Sequence, residues 1–271
     1  MRTLTIFLLL GALCAVSVKA DTINLGIAGS YAVLAGSTVA NTGSTVITGN
    51  LGLSPGSSVT GFPPGIVNGT TNIGNAAAIQ AQTDLTTAYN AAAGLTPTGT
   101  LTGQNLGGLT LTPGVYFFAS SAQLTGPLTL NAQGDPNALF DFQIGSALTT
   151  ASGSDVDVIN GGKDANVFWQ VGSSATLGTT TEFAGNILAL TSITLNTGAS
   201  IGCGSALARN GAVTMDTNVV SINSGCESRP GSTNPVPEPG ALAMFGSGLI
   251  GIAGLIRRKV GQMPGIKTRR D

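Results

Sequence analysis

Residues 193–215 read "ITLNTGASIGCGSALARNGAVTM". Two apolar–threonine–apolar triplets, Ile193-Thr194-Leu195 and Val213-Thr214-Met215, bracket a glycine-punctuated run whose one charged residue is Arg209. Similar triplets occur upstream as Leu109-Thr110-Leu111, Leu128-Thr129-Leu130, Leu148-Thr149-Thr150 and Ala175-Thr176-Leu177, so the central threonines fall 19, 20, 27, 18 and 20 residues apart. A near-constant period of short β-type runs separated by glycine turns is the mark of a solenoid. In a strand, successive side chains face opposite sides. The flanking apolar residues therefore fill an interior, and the six threonines are expected to stack outside as one ladder, one per coil. Each coil has room for about three strands of 4–6 residues plus turns. The expected fold is mainly β, a triangular β-helix. The longest interval holds "DVDVINGGKDANVFWQ", read as an extended turn before the aromatic strand 167–171. Phe140, Phe142, Phe168 and Trp169 lie on the strands "LFDFQI" and "VFWQV", and those at inward positions supply the bulk of the core.

One segment has a different period. Residues 75–94, "NAAAIQAQTDLTTAYNAAAG", place Ala78, Ala81, Leu85, Ala88, Tyr89 and Ala92 on one helical face, with Asn75 as N-cap and Gly94 as the stop. The polar face has no Lys or Arg, which a membrane-surface helix needs. A flat bed on a sheet is the expected use, and the regular threonine ladder is one surface it is expected to cover.

Both termini read as processing signals. "MRTLTIFLLLGALCAVSVKA" joins an early Arg2, an apolar run and the small-residue site Val18-Lys19-Ala20, a secretory signal peptide over residues 1–20 with cleavage after Ala20. At the other end a proline-rich stretch, 229–240, carries Pro237-Glu238-Pro239. It leads into a sixteen-residue apolar run (Ala241–Ile256) and Arg257-Arg258-Lys259 within the tail 241–271. The apolar run is shorter than the roughly 20 residues that span a bilayer. This order resembles the PEP-CTERM sorting signal of Gram-negative bacteria. It implies processing by an exosortase-type enzyme, transient passage of the tail through the membrane, and delivery to the cell surface or an exopolysaccharide matrix. The domain proper is then 21–228. Cys203 and Cys226 remain after Cys14 is removed with the leader, and an even pair in an oxidising compartment favours a disulfide.

The order of parts resembles the DUF3494 ice-binding proteins. The resemblance runs over about residues 22–224 and rests on "INLGIAGSYAVLAGSTVANTGSTVITGNLGLSPG", the single helix, "GLTLTPGVYFF", "NVFWQVGSSATLGTTTEFAGNILA" and "LNTGASIGCGSALARNGAVTMDTN". It implies a discontinuous right-handed β-helix with the long helix alongside and the N-terminal strands closing one end. It also implies adsorption to ice, with thermal hysteresis or inhibition of recrystallisation. The family's ice face carries loose T-A/G-x-T/N repeats. Thr42-Gly43-Ser44-Thr45 and Thr102-Gly103-Gln104-Asn105 fit, and Thr197-Gly198-Ala199-Ser200 fits with serine substituted. Thr179-Thr180-Thr181-Glu182 and Asp216-Thr217-Asn218-Val219 are less faithful. The expected face is thus Thr42, Thr45, Thr179, Thr180, Thr197, Ser200, Thr217 and Asn218. The competing face is the ladder Thr110, Thr129, Thr149, Thr176, Thr194 and Thr214. Where many relatives have arginine in a "G-R-A-L-A" string, this chain has Ser205, so a turn contact there is expected to be missing.

Other functions are weighed against composition. Residues 21–235 hold Lys163, Arg209 and Arg229 against ten acids, a net charge of −7, and binding to nucleic acid needs the opposite. The chain has no histidine, which removes Ser-His-Asp and Cys-His catalysis and the usual zinc sites. Asp155 and Asp157, with Asp135, Asp141 and Asp164 nearby in sequence, are the remaining candidates for a calcium site or a β-helix polysaccharide-acting enzyme, with Lys163 or Arg209 as the base. They read better as solvated acids, so the expectation is a non-enzyme without cofactor or metal, acting as a monomer. A surface or matrix adhesin is the rival. Charged groups hold their own hydration shells. Threonine instead offers a hydroxyl to bond water, a methyl to order the water beside it, and a β-branch that restricts χ1.

Overall fold

A computed structural model describes residues 23–222, apart from Gly162. The expected signal peptide 1–20, Cys226, the expected linker 229–240 and the tail 241–271 lie outside the described residues. Three parallel sheets run the length of the body. The first contains, in spatial order, Thr71–Ile73, Asn50–Leu53, Tyr31–Ala35, Ala206–Ala208, Asn186–Ala189, Val167–Val171, Phe140–Ile144, Gly114–Phe118 and Gly99–Thr100. The second contains Ala122–Leu124, Leu148–Thr150, Ala175–Leu177, Ile193–Leu195, Val213–Asp216, Thr38–Thr42 and Ser58–Thr60. The third contains Ile66–Asn68, Val46–Thr48, Val219–Ser221, Ser200–Cys203, Glu182–Ala184, Asp155–Ile159, Pro127–Asn131 and Thr110–Leu111. Each coil visits the three in turn, giving the three-sided β-helix expected.

The coil order differs from the chain order. Tyr31–Ala35 pairs with Ala206–Ala208, Thr38–Thr42 with Val213–Asp216, and Val46–Thr48 with Val219–Ser221. The N-terminal coils therefore extend the C-terminal end of the solenoid. The chain must then return to the far end to begin its remaining coils. Helix α1 (Ala76–Gly94) makes that return. Nine strands about 4.8 Å apart place the outer strands of the first sheet about 38 Å apart, and 19 helical residues reach about 28 Å. The flanking 74–75 and 95–98 supply the rest. Asn75 accepts from the Ala78 N–H as N-cap, and Ala78, Ala81, Leu85, Ala88, Tyr89 and Ala92 are the buried face, as the periodicity predicts.

The helix lies on the first sheet and leaves the threonine triplets uncovered. Its buried face packs with Tyr31, Leu34, Phe168, Leu188 and Leu207, which point outward from that sheet. Central strands of the first sheet are thus buried on both faces and read as near-continuous apolar runs such as "YAVLA". Arg209 stacks over the Tyr89 ring at 4.7 Å and donates to Thr86 Oγ1 at 3.3 Å, pinning the helix from the sheet side. Inside the solenoid Tyr116, Phe142 and Trp169 occupy one register position, with ring centroids 5.5 and 4.0 Å apart, and Phe183 follows at 4.9 Å. The Trp169 indole donates to Ala184 O at 3.0 Å. Phe140 also points inward, whereas Phe168 belongs to the helix interface.

The expected single threonine ladder is corrected by the register. Thr110 and Thr129 pair with each other in the third sheet, while Thr149, Thr176, Thr194 and Thr214 are in register in the second. The true neighbour of Thr129 is Asp157, and that of Thr149 is Gln123. Both sheets alternate inside–outside–inside, so a triplet alone does not reveal which sheet holds it.

The carboxylates do not gather. Asp155 and Asp157 lie on the third sheet, while Asp141 is on the outer side of the first, beneath the helix. Among the described residues no group of three or more His, Cys, Asp or Glu could hold a metal ion. Asp141 is fully buried and neither carboxyl oxygen has a hydrogen-bond partner. Gln143, two residues on, spends its amide hydrogens on Ala92 O and Leu95 O, both at 2.8 Å, at the helix C-terminus. Burial pushes the Asp141 carboxyl up from 3.8 to about 7. Between those values the unfolded chain binds fewer protons than the folded one. The contribution of this group to stability is therefore fully present below about pH 4 and is lost as pH rises to about 7. Asp141→Asn is expected to flatten this slope and raise stability at pH 8 by up to about 4 kcal/mol. Urea unfolding at pH 5 and pH 8 checks it, and an unchanged slope contradicts it.

Candidate functional site

Covering one side of the triangle leaves two outer faces. The second sheet's central outward column is Gln123, Thr149, Thr176, Thr194, Thr214, Ala40 and Thr60, each in register with the next. Neighbouring strands lie about 4.8 Å apart and same-face residues along a strand about 6.7 Å apart. The face is thus a two-dimensional grid with short side chains. Thr214 donates to Thr194 Oγ1 at 3.1 Å, which orders two successive coils. Asp216 is the one ionisable residue on the strands of this sheet. The third sheet is different. Its outward column Pro127, Asp155, Glu182, Ser200, Val219, Val46 and Ile66 joins two carboxylates to exposed aliphatic side chains.

At the corner where the second sheet turns into the third, the coils repeat a backbone pattern. Gly153, Thr180, Gly198, Thr217 and Gly43 all have positive φ, between 54° and 81°. The N–H of Gly153, Thr180, Gly198 and Thr217 each donates to the carbonyl before the equivalent residue of the next coil: Thr179, Thr197, Asp216 and Thr42. Ser152, Thr179, Thr197, Asp216 and Thr42 therefore form a second outward row beside the sheet. Threonine and glycine alternate at the left-handed position. Space demands glycine at Gly43, where a Cβ would come 2.3 Å from Thr217 Oγ1, whereas one on Gly198 would make an ordinary contact 3.5 Å from Thr180 Cγ2.

The expected residues divide accordingly. Thr42, Thr179, Thr180, Thr197 and Thr217 are exposed at this corner. Thr45 and Asn218 are corrections, since both are buried and neither reaches a surface. Thr45 Oγ1 accepts from the Asn218 N–H at 3.0 Å, and the Asn218 amide donates to Asn196 O and Ala199 O at 2.9 and 2.8 Å. They brace the corner from within. Ser200 is half-buried on the third sheet, beside Glu182 and Val219. Thr102–Asn105 sits at another corner, between the first and second sheets, where Thr102 Oγ1 accepts from the Ala119 N–H at 2.9 Å. Thr149, Thr176, Thr194 and Thr214 adjoin the corner row, so most of the two competing faces is one continuous surface. Gln123, Ala40 and Thr60 belong to it although neither the triplets nor the turn motif marks them, and so does Asp216, the first residue of the less faithful string 216–219. Ser205, which stands in place of an arginine, is buried with its hydroxyl unpartnered.

The chain resembles proteins of known behaviour over this same region. The ice-binding-like family model matches residues 33–221, and the PEP-CTERM protein-sorting motif matches 235–259, which indicates export and surface sorting. An ice-binding protein of Nostoc sp. (strain HG1) is 62% identical over 237 residues, covering 87% of each chain. The crystal structure of an ice binding protein from an Antarctic biological consortium has a TM-score of 0.72 at 54% identity, covering 74% of this chain and 90% of that one. The ice-binding protein of the Antarctic ascomycete Antarctomyces psychrotrophicus has a TM-score of 0.73 at 42% identity, covering 75% of this chain and all of that one. With solenoid, bridging helix and family match coinciding over the described body, this chain belongs to the ice-binding-like family.

Proposed function

We propose that this chain is an exported protein that adsorbs to ice through the outer face of its second sheet and the adjoining corner row. The observation that carries the choice of face is charge and relief together. The first sheet is covered by the helix, and the third presents Asp155, Asp157 and Glu182. Only the second combines an open grid of threonine, serine and alanine with a single carboxylate. Ionised groups order water to suit their own charge, whereas threonine hydroxyls and methyls at fixed χ1 can match an extended array of water. The partner is the ice crystal surface. Cleavage after Ala20, a Cys203–Cys226 disulfide, exosortase processing at the Gram-negative cell surface, and contact with exopolysaccharide belong to the same proposal.

Adsorption of this kind sums many weak contacts over a flat plane, so one bulky protrusion should spoil it without unfolding the protein. Thr194→Tyr, in the middle of the grid, is expected to weaken recrystallisation inhibition at least about tenfold, the equivalent of about 1.4 kcal/mol. Thr129→Tyr on the third sheet is expected to leave it unchanged, with the melting temperature of both variants near that of the parent. Loss with Thr129→Tyr and none with Thr194→Tyr assigns the activity to the third sheet. An inactive parent chain hands the function to the adhesin reading.

The left-handed threonines point to the same surface. A β-branched residue at φ 54° is strained by about 1–3 kcal/mol, and glycine, which the neighbouring coils use, removes the strain. Retaining threonine there makes sense if its side chain is used. Thr180→Gly is expected to stabilise the fold by about 1 kcal/mol while lowering ice activity. Paired thermal-unfolding and recrystallisation measurements check this, and a variant both more stable and fully active contradicts it.

A further inference from the structure

A carboxylate in a face otherwise free of charge calls for an account. Asp216 ends a strand of the second sheet, in register with Thr42, and occupies the corner row where the neighbouring coils have Thr197 and Thr42. Both of its oxygens are engaged. Thr197, on the preceding coil, donates its hydroxyl to Oδ2, and Thr217 donates to Oδ1 at 3.0 Å. The Asp216 carbonyl accepts from the Gly198 N–H at 3.1 Å, so the residue is also held to that coil through its backbone. Room for the arrangement comes from Gly43 on the following coil. A Cβ there would lie 2.3 Å from Thr217 Oγ1 and 3.2 Å from Asp216 Oδ1.

We propose that Asp216 is a positioning residue of the ice-binding face, fixing the Thr197 and Thr217 side chains by accepting a hydrogen bond from each hydroxyl. This rests on the adsorption surface proposed above and deepens it. A threonine hydroxyl exposed to solvent has a choice of partners and rotamers. Once its proton is committed to a carboxylate, the oxygen lone pairs and the methyl have one orientation toward the outside. An ionised acceptor makes such bonds stronger than neutral ones. The two hydroxyls in turn occupy the carboxylate's oxygens and lessen its demand for water of its own. Ordering the surface in advance removes a cost that would otherwise be met on binding.

This account and the simple ladder account predict opposite signs for one substitution. Asp216→Thr removes the charge and completes a row of threonines, so a face governed only by threonine count should bind ice better. With Asp216 as a positioning residue, Asp216→Thr lowers recrystallisation inhibition several-fold. Three-bond couplings then show Thr197 χ1 averaging between rotamers where the parent has one. Asp216→Asn keeps an acceptor oxygen for one hydroxyl and an amide that can donate to the other, so it retains the fixed rotamer and most of the activity. The full exported chain is measured for inhibition, melting temperature and Thr197 couplings in the parent and both variants. Equal or higher activity in Asp216→Thr overturns the proposal, as does an activity loss with the Thr197 rotamer still fixed. Equal losses in both variants overturn it too, because charge alone would then be responsible. A parent with a fixed Thr197 rotamer but no activity on ice instead contradicts the adsorption surface and leaves the positioning role standing.

Discussion

Everything in this molecule depends on the parallel, in-register hydrogen bonding of one coil to the next. Because each strand bonds to the equivalent strand of its neighbour, a residue's place in its coil fixes which column it joins. Inward columns become a stacked core, as with Tyr116, Phe142 and Trp169. Outward columns become surfaces of nearly constant spacing. The same rule lets the N-terminal coils join the C-terminal end, since any coil with the right alternation can continue the stack. That rearrangement needs a return path, and the helix supplies it. In lying on the first sheet the helix decides which faces stay open.

The alternation of apolar and small polar residues was legible in the sequence, and so were the solenoid and the helix with its six buried residues. The assignment of triplets to sheets was not. Leu128-Thr129-Leu130 and Leu148-Thr149-Thr150 are 20 residues apart and look like successive coils, yet they occupy different sheets of successive coils. Two consecutive coils are longer than those that follow: the in-register positions Gln123, Thr149 and Thr176 lie 26 and 27 residues apart, whereas Thr176, Thr194 and Thr214 lie 18 and 20 apart, so triplet spacing alone misassigns the sheets. Only backbone pairing shows that Asp157, with no threonine at its centre, is the partner of Thr129.

The candidate face was legible in part for a related reason. The T-A/G-x-T/N pattern marks a turn with a left-handed residue, and Thr42, Thr179, Thr197 and Thr217 do lie at such a turn. The pattern does not separate outward from inward positions within the turn. Thr45 and Asn218 satisfy it while serving as internal braces, and Thr102 satisfies it at a different corner. Asp216 breaks it, yet two surface hydroxyls converge on its carboxylate. A motif written in residue types conceals such a contact, because Thr197 and Asp216 meet across coils.

Adsorption itself can be observed without reference to any one side chain. A single-crystal ice hemisphere grown slowly from a dilute solution of the fluorescently labelled exported chain reports whether the protein is held at the ice surface. A surface that matches ordered water predicts fluorescence incorporated into the growing ice in bands set by particular crystal planes. Ice that grows dark, with all of the label driven into the remaining liquid, would contradict the account.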